Sequence, residues 1–291
     1  MNRETQKHWI DEVLTEVFRA AIASEPLRNA LIFKGARILN LHLGDGRESL
    51  DIDSNMAAEL AASMPDIEAQ ARFLQQQLSS ALRHHFERQN PVRFELVDVK
   101  VDRRPPKDHP RGWNAFLLRI QVHDSRWIGV IGLPRLEIDV AAPEKLGVDA
   151  VETMKVQGVP ARVYALHRIA GEKLRAYLTS LPAYRQRMQG GEREFRVKDL
   201  HDLARILRAR PASDLDFWAK AALEFKLACE SRLVECQGLK SFMENWNLTR
   251  ERYEADASLK VVPFAEAEHA LATVVGLLEL HKCSYVARLG S

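Results

Sequence analysis

Cysteine is scarce in this 291-residue chain, with only Cys229, Cys236 and Cys283 present. So few, and an odd number, exclude a disulfide framework and fit a reducing cytoplasm. Zinc spacing is missing too: His84-His85 and His281-x-Cys283 have no partners at the required intervals. Cys229 and Cys236 lie seven apart on a predicted helix and read as core residues. No apolar run is long enough to cross a bilayer. The charged, polar stretch from Met1 to Trp9 has no apolar segment behind it, so no secretory leader is expected. Neither charge sign dominates, since 42 Lys and Arg meet 40 Asp and Glu for a net charge of +2. A nucleic-acid partner therefore has to be argued from local charge. Repeats, low-complexity tracts, a Walker-type phosphate loop and Gly-x-Gly-x-x-Gly are all lacking. What is present is 46% hydrophobic and 28% charged residues, the mix of a folded chain of one large domain or two ordinary ones.

Hydrophobic spacing predicts a helix over Glu4 to Ala23, with Trp9, Val13, Leu14, Val17 and Phe18 on one stripe. Ser24-Glu25-Pro26 interrupts it, the apolar run Leu31-Ile32-Phe33 follows, and Ala36 to Leu43 predicts a second helix. Asp66 to Gln89 predicts a third. Strands are predicted at Ser49–Asp53, Phe94–Val101, Phe116–His123, Trp127–Val140 with a break at Pro134, and Val159–Tyr164. The Pro-rich basic stretch from Arg103 to Gly112 predicts an exposed loop in which Trp113 is exposed as well. From Leu166 onward the pattern is helical: 166–181, 198–210, 215–235, a stretch near 239–256, and 264–281. Strands before about residue 165 and helices after it give an α+β class, with the join near Pro160.

Two acidic segments stand out. In Ser49-Leu50-Asp51-Ile52-Asp53, strand geometry projects Asp51 and Asp53 to one face and Leu50 and Ile52 to the opposite, buried face. In Leu136-Glu137-Ile138-Asp139-Val140, the same alternation presents Glu137 and Asp139. Carboxylates aimed together repel, so such a face suits a hard divalent ion such as Mg²⁺. Two solvated strand faces explain the same letters, and the choice between Glu137 and Asp139 stays open. Ahead of these, Lys34-Gly35 sits between an apolar run and a helix, where a phosphate can meet a helix N-terminus.

The order of these pieces resembles the AbiEii/AbiGii-type toxin nucleotidyltransferases, a branch of the polymerase-β-like fold. The likeness runs from Ile32-Phe33-Lys34-Gly35 through Arg47 to Asp53, which matches the family's Arg-x-Ser-x-Asp-x-Asp segment. It continues at Glu137-Ile138-Asp139, where the family presents a further acid. Arg168 to Ala176 is similar to its Glu-Lys helix, and Lys198-Asp199-Leu200-His201-Asp202-Leu203 to its basic-Asp-x-x-Asp-Leu motif. Where the family has a second glycine and a hydroxyl residue, this chain has Ala36 and Arg37.

The resemblance implies a nucleotidyltransferase-like mixed sheet flanked by helices over residues 1–163, then a helical bundle over 164–291. It implies transfer of a nucleoside monophosphate from an NTP to an acceptor hydroxyl, with pyrophosphate released and Mg²⁺ or Mn²⁺ required. Some members modify tRNA ends, and several are toxins restrained by an antitoxin, which suggests a cytoplasmic role in phage defence. Ser49, Asp51, Lys173 and Asp199 match essential family positions. Asp51, Asp53 and Glu137 or Asp139 are the expected metal ligands, with Asp53 counted also among the catalytic residues. Lys34, Gly35, Arg47, Ser49, Lys173 and Asp202 are the expected nucleotide contacts.

Local charge adds one clue. Arg162 to Arg210 holds twelve Lys and Arg against five acids, with Gly190-Gly191 in its middle. Such a segment suits an RNA acceptor, with Tyr184 and Phe195 available to stack on bases. It equally suits a solvated face or an antitoxin surface. The rival functions are a catalytically inactive RNA- or protein-binding module of the same fold, and a same-fold transferase acting on a small molecule or protein.

Overall fold

Seven strands make one mixed sheet in the order β3-β4-β5-β2-β1-β7-β6. They are β1 (Leu31–Lys34), β2 (Ile52–Met56), β3 (Phe94–Arg104), β4 (Ala115–Asp124), β5 (Leu136–Ala141), β6 (Val151–Val156) and β7 (Val159–Tyr164). These coordinates are a computed structural model, and residues 2–44, 48–107, 114–128, 132–187 and 194–280 are described. Among them no helix is long and apolar enough to cross a membrane. The chain divides into two compact units. The first comprises Met1–Ile38, Gly46–Glu144 and Glu152–Tyr164, and the second Leu39–Asp45, Lys145–Val151 and Ala165–Ser291.

In the first unit, β1 pairs antiparallel with β2 and parallel with β7, while β2 runs parallel to β5. The hairpin β3–β4 continues the sheet antiparallel beyond β5. Register puts Phe33, Ser54, Val140 and Phe116 in one cross-sheet row, and Ile52, Ile138 and Leu118 in the next. All of these are buried. Helix α1 (Arg3–Ala23) covers that face, with Phe18 edge-on to Phe33 at 4.9 Å between centroids. Short α2 (Glu25–Ala30) leads into β1, α3 (Gly35–Leu43) leaves it, and α4 (Ala58–Ser63) follows β2. Pro26 sits in the first turn of α2, where its missing N–H costs nothing. The Ser24-Glu25-Pro26 break is thus the start of a new helix. Helix α5 (Ile67–Glu87) packs its Leu74, Leu78, Leu82 and Phe86 stripe inward, and Gln75 donates to the Val99 carbonyl of β3 at 2.7 Å.

Of the predicted strand over Trp127–Val140, β5 is found from Leu136 on, Ser125–Trp127 forms a 3₁₀ turn capped by Asp124, and residues 129–131 lie outside the described residues. Strand β6 was not expected. It joins β7 through Gln157-Gly158, both at positive φ, the two-residue turn that matches strand twist. The Pro-rich loop is shorter than predicted, since β3 extends through Arg104. Trp113 and Gly190-Gly191 lie outside the described residues.

In the second unit, α6 (Leu166–Ser180) and the short α7 (Pro182–Arg187) precede α8 (Lys198–Ala209) and α9 (Leu215–Arg232). Two small helices, α10 (Leu239–Phe242) and α11 (Trp246–Ala255), lead to α12 (Phe264–Leu280). Helix α6 packs on both α9 and α8, and α12 closes over them. Gly171 sets the α6–α9 approach: a Cβ there would lie 2.5 Å from the Phe225 nitrogen and 2.9 Å from the Ala221 carbonyl oxygen. At the same crossing Arg168 pairs with Glu224 at 3.1 Å, both fully buried. Cys229 and Cys236 are buried free thiols, as expected of core residues, but α9 ends at Arg232 and Cys236 lies beyond it, so the two do not share a helix face. The expected α+β class, a mixed sheet with helices followed by helices alone, is what the chain adopts.

Candidate active site

Cross-strand register builds a charged row on the sheet face opposite α1. Lys34 is paired with Asp53, Asp53 with Asp139, Asp139 with Leu117 and Leu117 with Asp102. Directly paired residues project to the same face, so Asp53 and Asp139 stand side by side on parallel strands. Ser54 fastens this position, its buried Oγ donating to the Asp139 carbonyl at 3.1 Å. Glu137 belongs one pleat further along β5, opposite Arg119 of β4, whose Nε lies 3.5 Å from its carboxylate. Asp139 is therefore the β5 acid that adjoins Asp53.

Burial pushes the Asp139 carboxyl above the ordinary carboxylate range. The charges of Asp51 and Glu137 push the same way, and Arg104 and Lys34 pull against them. Arg104, the last residue of β3, places Nη1 3.5 Å from Asp139 Oδ1.

The segment before β2 departs from expectation. The strand begins at Ile52, so Ser49, Leu50 and Asp51 precede the ladder and the alternation does not reach them. Leu50 is accordingly 43% exposed, not buried, while Ile52 is buried as expected. Ser49 is buried and donates through Oγ to the Asp51 carbonyl at 3.0 Å. A clamp that no local pattern announces holds Ser49 in place. Asp11 of α1 accepts the Ser49 N–H at 3.2 Å, and Arg37 of α3 donates to Asp11 at 2.9 Å and to the Ser49 carbonyl at 3.1 Å. Arg37, which replaces a hydroxyl residue of the resembling family, thus fixes the approach to β2. Arg47 lies outside the described residues.

Gly35 opens α3 with φ +78°, a conformation L side chains rarely adopt. A Cβ there would lie 2.1 Å from Asp53 Oδ2 and 2.9 Å from Asp53 Cβ and Cγ. The Asp53 carboxylate therefore occupies space that only glycine leaves. Gly35→Ala is expected to displace it, lowering stability by about 1–2 kcal/mol and the transfer activity that the resemblance implies by about a hundredfold. Parallel activity and thermal-melt measurements check this, and an alanine variant of full activity would show that Asp53 need not stand there.

In the second unit, α6 and α8 bring together three other predicted residues. Lys173 is 5% exposed, and its Nζ donates to Asp199 Oδ1 at 2.9 Å and to Asp202 Oδ2 at 2.7 Å. Both carboxylates are buried, Asp199 also accepting from Arg196 Nε at 2.7 Å. Burial alone would lower the Lys173 ammonium, but Asp199 and Asp202 outweigh it and hold it above its usual value. Burial would likewise raise Asp199, yet Arg196 and Lys173 hold it below the carboxylate range.

The basic segment is less available than its composition implies. Among the described residues of this segment, ten cations are ion-paired: Arg162, Arg168, Lys173, Arg175, Arg187, Arg196, Lys198, Arg205, Arg208 and Arg210. Several partners come from later in the chain: Glu224 of α9, Glu266 of α12, and Glu244 in the turn between α10 and α11. Tyr184 is buried, its hydroxyl accepting the Glu235 N–H at 3.3 Å, and Phe195 stacks on Tyr177.

Carboxylates on one face offer the hard oxygen donors that Mg²⁺ and Mn²⁺ take. Asp51, Asp53 and Asp139 fit that requirement in kind. Among the described residues, however, no three Asp, Glu, His or Cys side chains already stand as a closed metal cage; Asp139 faces Arg104 instead.

Residues 17–272 match the family described as "Nucleotidyl transferase AbiEii toxin, Type IV TA system". No curated protein matches the chain in sequence. Among solved structures, it is similar to an antigenic nucleotidyltransferase-like protein from Paracoccidioides brasiliensis, at 14% identity and a TM-score of 0.38. That alignment covers 89% of this chain and 94% of the other, and so remote a likeness carries no argument.

Proposed function

The chain belongs to the AbiEii nucleotidyltransferase toxin family of type IV toxin–antitoxin systems, and on that premise we propose that it transfers a nucleoside monophosphate from an NTP to an acceptor hydroxyl. The acceptor oxygen forms a bond to the α-phosphorus, and the bond from that phosphorus to the β-bridging oxygen breaks. Pyrophosphate leaves with the electron pair, and the hydroxyl proton passes to a base. The observation that supports this reading best is Asp53 beside Asp139 in register, next to the glycine that leaves room for the Asp53 carboxylate.

In this reading Asp51, Asp53 and Asp139 hold Mg²⁺ or Mn²⁺, which when bound neutralises triphosphate charge. Lys34 and the α3 N-terminus beginning at Gly35 attract the phosphates. Ser49, fixed by Asp11 and Arg37, orients Asp51 through the hydrogen bond to its carbonyl. Lys173, Asp199 and Asp202 act as one buried unit that sets α6 against α8. Arg47 keeps its place as a nucleotide contact by resemblance. A cognate antitoxin restrains the activity in the cell. RNA, tRNA first, is the acceptor to examine, on the strength of the family rather than of the largely paired basic segment.

Incubation with Mg²⁺, each labelled triphosphate in turn, and total RNA should move label and release pyrophosphate. Label that stays on the triphosphate with RNA, protein and small-molecule acceptors alike would remove the transferase reading. One observation favours a second reading, an inactive binding module: Arg37 stands where the family has a hydroxyl and is committed to Asp11 and Ser49. Calorimetry separates the two, since the module shows no metal-dependent triphosphate affinity.

A further inference from the structure

Arg104 lies at the end of β3, paired with Ala115, and shares the polar sheet face with Asp102, Asp139 and Asp53. Its guanidinium meets Asp139 at 3.5 Å with both side chains about half exposed, at 52% and 43%. The hairpin's other arginine on this face, Arg119, is engaged by Asp102 and Glu137. Each acid of β5 thus already has a guanidinium, and the one on Asp139 sits on the carboxylate nearest Asp53.

That position has consequences of charge. A guanidinium cannot lose its proton in a protein, so Arg104 and a divalent cation repel if both sit on Asp139. An exposed ion pair opens easily, at a penalty of roughly twofold to fivefold in an equilibrium constant. A bound triphosphate brings about four negative charges and one divalent ion only two positive ones. The surplus negative charge calls for cations beside the carboxylates, and a guanidinium offers five donors in the fork that phosphate oxygens accept.

We propose that Arg104 is an exchange residue: it holds Asp139 in the metal-free protein, yields that carboxylate to the divalent cation, and turns to the phosphates of the incoming nucleoside triphosphate. This rests on the transferase reading above. It gives Arg104 two effects of opposite sign, which a purely structural residue does not have.

The test measures binding, not turnover. Mn²⁺ affinity is read by electron paramagnetic resonance on the full chain. Affinity for each of the four ribonucleoside triphosphates at saturating Mn²⁺ is read by calorimetry. Arg104→Gln is expected to bind Mn²⁺ alone roughly twofold to fivefold tighter and its preferred triphosphate about tenfold weaker. Arg104→Lys, which keeps the charge, should recover most of the triphosphate affinity. Arg119→Gln should move neither affinity as far, because its partners are Asp102 and Glu137 and not Asp139. A wild-type chain that binds Mn²⁺ and a triphosphate while Arg104→Gln binds both equally well overturns the role of Arg104 alone. So does an Arg104→Gln chain whose Mn²⁺ affinity falls. A wild-type chain that binds neither ligand overturns the transferase reading, and this inference with it.

Discussion

Lys173→Met is expected to destabilise the protein by about 3 kcal/mol, the lower end of what breaking a buried pair costs. Methionine fills the space of the lysine stem but leaves Asp199 and Asp202 buried without their shared ammonium. The loss is not larger because Asp199 keeps Arg196 at 2.7 Å and Asp202 keeps Arg205 at 3.8 Å. Urea unfolding at neutral pH measures it. The pH dependence identifies the cause. Asp199 is held below its unfolded value of about 3.9. Its contribution is therefore complete above that value and is lost as pH falls through the folded pKa. Lys173 is raised, so its share is complete below about 10.4 and is lost as pH climbs through its folded pKa. The share of this cluster in wild-type stability should be flat between these limits. In Lys173→Met the two carboxylates take up protons more readily, so the gap to wild type narrows as pH drops towards 4. A loss under about 1 kcal/mol that does not vary with pH would mean that the ammonium is not what holds the two acids in the fold.

That pair shows where reading letters stops. The resemblance of the Glu-Lys and Lys-Asp-x-x-Asp-Leu segments to the family's motifs pointed to Lys173, Asp199 and Asp202, and each motif is local and helical. That all three share one buried network depends on α6 meeting α8, which no periodicity encodes. Helix α1 and strand β5 were legible for a simpler reason. Trp9, Val13, Val17 and Phe18 recur as one buried helical stripe, and Leu136, Ile138 and Val140 as one buried strand face. The acidic segment was only half legible, since alternation says which residues suit a strand but not where the ladder begins. Pairing starts at Ile52, which left Leu50 outside and Ser49 to be fixed by Asp11, some forty residues away in the chain. The Asp53–Asp139 juxtaposition joins strands far apart in sequence, and the excess of arginine looked free because some of its acids, Glu224, Glu244 and Glu266, lie outside the segment. Gln157-Gly158 between two alternating stretches was a hairpin signal in plain view. Arg104 carried no signal, since a residue before two prolines reads as loop.

Asp51→Asn is expected to give the opposite pattern from Lys173→Met, with chemistry lost and stability kept. Transfer should fall at least about a thousandfold, roughly 4 kcal/mol of barrier, since the amide keeps the shape of the side chain and removes the charge a divalent ion needs. Stability should stay within about 1 kcal/mol of wild type. Asp51 is exposed, precedes the ladder, and adds to the repulsion that keeps the Asp139 carboxyl high. Neutralising it removes both that repulsion and an attraction to the Arg37 guanidinium, so the melting temperature should stay close to that of wild type. Ser49 stays in place, because its Oγ bonds the Asp51 carbonyl and its backbone is held by Asp11 and Arg37. Labelled transfer to whichever acceptor takes the nucleotide, measured beside a thermal melt, reads both quantities at once. Retention of more than a tenth of wild-type transfer would take Asp51 out of the reaction. A loss of transfer matched by a lower melting temperature would make its role structural. Only the pairing of a dead enzyme with an equally stable fold marks a carboxylate kept for its charge and not for the fold.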